Sequence, residues 1–408
     1  MRTLIWMAAA AALFLSCDKI QDQPEDNTYK PLEMSTKSSE FIRKGQPFAL
    51  DFLAQIDVAA EKDYVISPLS MQFLLGMILD GAREQTADEI SKVLGYGAGE
   101  VKAVNEFCLS MLQQLPNLDR KTKISIANAI FVDDGWPLLD SYKADVSQYY
   151  KATVSNLDFA DNAASLKAIN SWCNDNTNGL IPKVLDKVDP DMLAYLLNAL
   201  YFKGQWKEKF RAENTSDETF TDESGSTAKV KMMKKTAELS YGRNDVFQTV
   251  RLPYGNSAFS MYVLLPLKGY KVADVISWLQ KADWDKFRSS VSSYEVDLRL
   301  PRFETKYHIK LNDILSAMGM PSSFDPAKAD FLGMSQYALC LSFVQQDAVI
   351  KVDEEGTEAA AISSAGMMKN TSIGPSETVS FHADHPFLYL ITEASSGAIL
   401  FAGSYSNR

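Results

Sequence analysis

Val352-Asp353-Glu354-Glu355-Gly356-Thr357-Glu358-Ala359-Ala360-Ala361 is the stretch on which the reading of this chain turns. It follows an apolar run, 341–352, that predicts a buried strand. It leads into a polar segment, 363–375, that predicts an exposed loop. A glycine and a row of small residues at such a junction read as a hinge. Glycine frees the backbone, and small side chains can enter a packed sheet where large ones would clash. The stretch points to a protein that acts by moving.

The composition is that of a globular protein: 408 residues, 46% hydrophobic and 23% charged. That length holds a large core. The net charge of -11, without any long Lys/Arg block, argues against a nucleic-acid partner, since phosphate binding needs a concentrated basic surface. Residues 1–16 are expected to be an export signal: Arg2 supplies a positive charge and 4–15 an apolar run too short to span a bilayer. Its ending, Leu13-Phe14-Leu15-Ser16-Cys17, resembles a bacterial lipoprotein signal, which would make Cys17 a lipid anchor; the alternative is an ordinary signal cut near Ser16. Residues 17–37 are polar, a flexible tether. Localisation is then exported, either lipid-anchored at a bacterial membrane or cell surface or secreted. Cys108, Cys173 and Cys340 remain, far apart among apolar or helical neighbours, and read as buried free thiols.

Helices are predicted over 38–60, 69–79, 86–94, 100–115, 164–178 and 311–318, the first with Phe41, Ile42, Phe48, Phe52, Leu53 and Ile56 at helical spacing. Strands are predicted at 65–68 and 123–132, then at 192–202, whose apolar run suits burial on both faces. Further strands follow at 230–233, 248–252, 259–265, 295–303 and 341–352, and 387–392 and 398–403 form a hairpin around Ser396-Gly397. Helices lead and strands follow, which predicts an α+β fold. No linker interrupts 38–408, a single domain.

No enzyme site assembles. The chain has three histidines, His308, His382 and His385, and no HExxH, CxxC, GxSxG or GxGxxG pattern. Asp353-Glu354-Glu355 cannot act as a paired acid and base, because neighbours on an extended chain face opposite ways. No catalytic residue, cofactor or metal is implied.

Five blocks then carry a resemblance. They are Ser67-Pro68-Leu69-Ser70 with Gly76-Met77 and Gly81-Ala82; Asn198-Ala199-Leu200-Tyr201-Phe202-Lys203-Gly204-Gln205-Trp206; Phe220, Gly225, Val230, Met232 and Met233; Pro301-Arg302-Phe303 with Ala329-Asp330-Phe331; and Phe381-His382-Ala383-Asp384-His385-Pro386-Phe387-Leu388-Tyr389-Leu390-Ile391. In this order and spacing, across about 38–408, the chain resembles the serpin family of serine protease inhibitors. The resemblance implies a large main β-sheet, two smaller sheets, eight or nine helices and an exposed reactive-centre loop at about 354–380. It also implies a mechanism. A protease attacks the loop and forms an acyl-enzyme; the cut loop then inserts into the main sheet as a new strand and carries the protease with it.

On that resemblance, Glu354, Gly356, Thr357, Glu358, Ala359, Ala360 and Ala361 are the hinge. Once inserted, Thr357, Ala359, Ala361, Ser363 and Ala365 would face the core, and none is large or charged. The family's spacing from Gly356 puts the reactive bond at Lys369-Asn370, with Met368-Lys369 and Asn370-Thr371 as alternatives. Lys369 suits a trypsin-like pocket, while Met367 and Met368 suit elastase- or subtilisin-like ones. Ser67, Ser70, Asn198 and Trp206 match the family's residues beneath and above the opening sheet, and Gln346 stands where the family usually has histidine. The expected function is a broad suicide-substrate inhibitor of serine proteases, with papain-like cysteine proteases as a second target class. The chain is expected to be monomeric, with no nucleic-acid partner and no membrane contact except through Cys17. The rival reading is a non-inhibitory binding or carrier protein.

Overall fold

The helix that lies deepest begins at a proline. Ser67 caps it, its hydroxyl accepting from the Ser70 amide, Pro68 takes the first turn where no N–H is needed, and nearly every residue to Gly81 is buried. The computed structural model describes residues 27–61, 63–97, 99–190, 192–357 and 378–407. Among these the helices are α1 (Thr36–Ala59), α2 (Pro68–Gly81), α3 (Glu84–Leu94), α4 (Val101–Gln114), α5 (Asp140–Tyr149), α6 (Asn162–Asn176), α7 (Val272–Lys281), α8 (Trp284–Ser290) and α9 (Asn312–Met318). The strands are β1 (Tyr64–Ile66), β2 (Thr122–Asp133), β3 (Thr153–Leu157), β4 (Ala194–Gln205), β5 (Ser216–Thr221), β6 (Thr227–Arg243), β7 (Phe247–Pro253), β8 (Phe259–Pro266), β9 (Ser292–Pro301), β10 (Phe303–Lys310), β11 (Gln345–Val352), β12 (Gly356–Thr357), β13 (Val379–His382), β14 (Phe387–Glu393) and β15 (Ile399–Tyr405).

The main sheet has the order β10-β11-β12-β4-β2-β3. The remaining strands form a continuous ribbon, β1-β15-β14-β8-β7-β6-β9-β13, with β5 also on β6. Strand β6 joins what are two smaller sheets: it pairs with β7 only at Ser240–Arg243 and with β9 along Met232–Tyr241. Helix α2 lies between the layers. The Ser67 hydroxyl donates to the Leu400 carbonyl on β15 at 2.6 Å, while Ser70 reaches Asn198 on β4.

The apolar run at 192–202 is buried on both faces, as its composition requires. Tyr195, Leu197 and Ala199 join Phe131, Ile169 and Cys173 in a cluster under α6, while Leu196 and Phe202 enter the main core. Several readings of the sequence differ from the fold. The strand expected at 295–303 breaks at Arg302, where the chain leaves β9 and enters the main sheet as β10. Pro301 has no N–H to continue the ladder, and β-propensity is blind to a change of sheet. The strand expected from 341 begins at Gln345. Helices α5, α7 and α8 have no counterpart in the sequence reading. The loop assignment 354–380 also includes residues held in sheets: Glu354, Gly356 and Thr357 are buried, and Val379 and Ser380 belong to β13.

Candidate functional site

Strands β4 and β11 form a fork. At their N-terminal ends they are direct parallel neighbours, Asp347 against Ala199 and Val344 against Leu196. At their C-terminal ends β12 stands between them. Gly356 pairs with Gln205 and Thr357 with Gly204, antiparallel, and Thr357 also pairs with Val352. The chain turns into β12 around Asp353: its amide donates to the Gly356 carbonyl at 2.9 Å, and its carboxylate accepts from the amides of Glu355 at 2.9 Å and Gly356 at 3.3 Å.

The stretch expected to be the hinge therefore has its first residues, Gly356 and Thr357, inside the sheet. Gly356 has φ +155°, and a Cβ there would lie 2.0 Å from the Gly204 carbonyl oxygen; only glycine seats at this point. Thr357 is 1% exposed. Its hydroxyl shares a 2.6 Å hydrogen bond with that of Tyr254, whose ring stacks on the Trp206 indole, centroids 4.5 Å apart. Trp206 holds the turn from the other side, its indole N–H donating to the Asp353 carbonyl and its amide to the Glu355 carbonyl, each at 2.9 Å.

Two carboxylates anchor the turn. Glu354 is buried and accepts from the Thr215 hydroxyl at 2.7 Å and from Arg302 Nε at 3.1 Å and Nη2 at 2.5 Å. Burial pushes its carboxyl up, but the Thr215 and Arg302 hydrogen bonds outweigh burial, so Glu354 lies below its ordinary value. Glu355 pairs with Lys209. Asp353 is shifted the other way, raised because burial outweighs the amides it accepts from.

A polar group lies where the fork closes. Gln346 clamps the backbone of Ser67, its Oε1 accepting from the Ser67 amide at 2.9 Å and its Nε2 donating to the Ser67 carbonyl at 3.0 Å. Ser70 donates to Asn198, which donates to Asn128 Oδ1 at 2.7 Å; Asn128 in turn donates to the Tyr150 carbonyl at 2.9 Å. Ser67, Ser70, Asn198 and Gln346 thus form one buried network, with Trp206, Glu354, Gly356 and Thr357 grouped at the open end. Glu358, Ala359, Ala360, Ala361, Met368, Lys369, Asn370, Thr371 and Cys17 lie outside the described residues. Sequence reasoning missed Tyr254, Thr215, Lys209 and Asn128, and did not pair Arg302 with Glu354. Asn128 carried a signal, a polar residue on the strand face it shares with Ile124, Ile126, Ile130 and Val132; the others are brought in by chain segments far away in sequence.

Other chemistry is sparse. Among the described residues no group of three His, Cys, Asp or Glu could hold a metal ion. His308, His382 and His385 each meet one aspartate, Asp347, Asp297 and Asp384, at separate places. Cys108 and Cys173 are buried and Cys340 half-buried, all as free thiols; burial pushes Cys173 up to about 12 and Cys108 higher still, so both stay protonated. No described helix is long and apolar enough to cross a membrane.

Comparison with known proteins agrees with this arrangement. The family described as Serpin (serine protease inhibitor) matches residues 43–408. Serpin B6 of Macaca fascicularis is 31% identical over 369 residues, covering 88% of this chain and 97% of that protein. The crystal structure of the thermophilic serpin tengpin in its native state superposes with a TM-score of 0.83 at 28% identity, covering 93% of this chain and 97% of that one. Thyroxine-binding globulin, solved with thyroxine, shares the fold at 24% identity and a TM-score of 0.79, covering 90% and 98%. From the forked sheet and a match along almost its whole length, the chain belongs to the serpin family.

Proposed function

We propose that this serpin is inhibitory, a suicide substrate that traps serine proteases, and papain-like cysteine proteases as a second class, by completing its main sheet with its own cleaved loop. The observation that carries the reading is the register of the fork. Stepping on from Gly356 opposite Gln205 and Thr357 opposite Gly204, an inserting strand would set Ala359 between Phe202 and Ile350. Ser363 would fall between Asn198 and Gln346, and Met367 opposite Ala194. The Asp347–Ala199 and Val344–Leu196 pairs have the same offset as Val352 and Gly204 on either side of Thr357. Strands β4 and β11 therefore need only part by one strand spacing, about 4.8 Å, without sliding. The inward positions from Ala359 to Ala365 are small, and a serine arrives where the seam is polar.

Incubation with a panel of trypsin-, elastase- and subtilisin-like enzymes and papain tests this. The expected result is a covalent complex that survives a denaturing gel. Loop cleavage with no complex from any of them overturns it. Mass spectrometry of the released peptide distinguishes Lys369-Asn370 from Met368-Lys369 and Asn370-Thr371. The same reading takes the protein as monomeric, exported and lipid-anchored at Cys17; Cys17→Ala is expected to move it from the membrane to the soluble fraction.

One observation favours the carrier reading as the alternative. A cleft of about 700 Å3 between α1 and α8 is lined by Arg43, Arg251 and Arg288 beside Met34, Ile42 and Tyr262, with Glu40 and Asp285 also on its wall and Asp285 paired with Arg288 at 3.2 Å. The Nε atoms of Arg251 and Arg288 are buried without a hydrogen-bond partner among the described residues. An amphipathic carboxylate suits that lining. Saturable binding of a fluorescent fatty acid, together with no protease complex, would decide for it.

A further inference from the structure

At the closed end of the fork, two exposed aromatic rings stand beside the place where an inserted strand would emerge. Strand β2 ends there, Val132 pairing with Ala194 and the Asp133 amide donating to the Leu193 carbonyl at 3.0 Å. The chain turns at once, the Trp136 amide donating to the Asp133 carbonyl at 3.0 Å. The Trp136 ring, 39% exposed, meets that of Tyr337, 36% exposed, edge-on at 5.0 Å. The two segments are fixed together: the Leu139 amide donates to the Met334 carbonyl at 2.8 Å and the Ser335 hydroxyl to the Pro137 carbonyl at 3.0 Å. The segments that carry the two rings also close over a small buried apolar void of about 30 Å3, walled by Leu138 and Met334 with Ala194 and Leu339 of the sheet end.

We propose that Trp136 and Tyr337 form the surface against which the captured protease is held. The inference rests on the inhibitory reading, whose register brings Met367 opposite Ala194. An enzyme acylated by the next few residues is then tethered at this end of the sheet. A second copy of the chain is the poorer occupant. Two rings bury at most about 150–250 Å2 each, short of the roughly 800 Å2 per partner that a stable free association needs. A covalently tethered enzyme needs far less, because the tether supplies the effective concentration. Apolar contact here would help to keep the distorted enzyme from recovering and hydrolysing the acyl bond.

The test is the double variant Trp136→Ser/Tyr337→Ser, reacted with trypsin beside the wild-type full chain. The association rate should be unchanged, because the rings lie at the end of the sheet opposite the hinge. Active trypsin should be released from the purified complex about tenfold faster, the scale on which aromatic anchors act in an interface. An unchanged release rate overturns the inference, as does a wild-type dimer in sedimentation that the variant abolishes. If the double variant melts lower than wild type, Trp136→Gln and Tyr337→Ser singly should each speed release. A wild-type protein that forms no covalent complex removes the inhibitory reading itself, and this inference with it.

Discussion

Gln346 shows how much one side chain carries at the fork. Its amide satisfies both the N–H and the C=O of Ser67, which are buried at the start of α2. Gln346→Ala would leave the buried Ser67 N–H without a partner, while the Ser67 carbonyl keeps the Met71 amide at 3.1 Å, at a cost of about 1–3 kcal/mol; the midpoint of the first urea transition should fall accordingly. An amide does not titrate, so pH sensitivity of the fork is expected to come from the hinge carboxylates. Glu354 lies below its ordinary 4.5. Its contribution to the folded hinge is therefore complete above that value and is lost as pH falls through the lowered one. Asp353, raised above 3.8 by burial, works in the opposite sense: it favours the folded hinge in acid and less so as pH rises through its raised value. The Glu354 anchor should hold at neutral pH and release only in acid. Trp206 fluorescence, taken as the difference from Trp206→Phe, should show an acid transition that Arg302→Gln abolishes.

At the scale of elements, the two-residue strand β12 fixes the direction, the register and the inward face of whatever follows it. That makes Ala359 a decisive position. On the proposed register Ala359 would face the core between Phe202 and Ile350, where an arginine would carry an unpaired charge. Ala359→Arg should bind and be cut by protease at an unchanged rate while the covalent product disappears from the gel; normal complex formation would sink insertion along this register. Much of this was legible in the sequence. The small residues after Gly356 and the apolar run of β4 each follow from local chemistry, whereas the sequence reading placed Ser67 and Pro68 in a strand and the fold makes them the cap and first residue of α2. The break at Arg302 and helices α5, α7 and α8 were not legible. A change of sheet depends on which surface needs covering, and a short helix packed on a sheet owes its stability to that sheet more than to its own propensity.

At the scale of the whole molecule, a main sheet that is forked in its resting state has ladder positions still to fill along β4 and β11. Filling them adds hydrogen bonds of about 0.5–1.5 kcal/mol each and closes apolar surface. With about 2–4 °C in Tm per kcal/mol for a large domain, a single cut in the loop should raise the thermal midpoint by more than about 10 °C. A calorimetric scan before and after limited proteolysis measures this, and an unchanged or lower midpoint would mean that the cut loop stays outside the sheet. The amino-acid order by itself determined the family and named Ser67, Ser70, Asn198 and Gln346 of the polar seam, because each is written in residue types at short spacing. Only the tertiary structure decided that Gly356 and Thr357 already lie in the sheet. It also decided that Tyr254, Trp206, Thr215 and Arg302 hold the turn into β12, and that β4 and β11 share the register an inserting strand needs. Those facts depend on the distance between chain segments far apart in sequence, which no local pattern encodes.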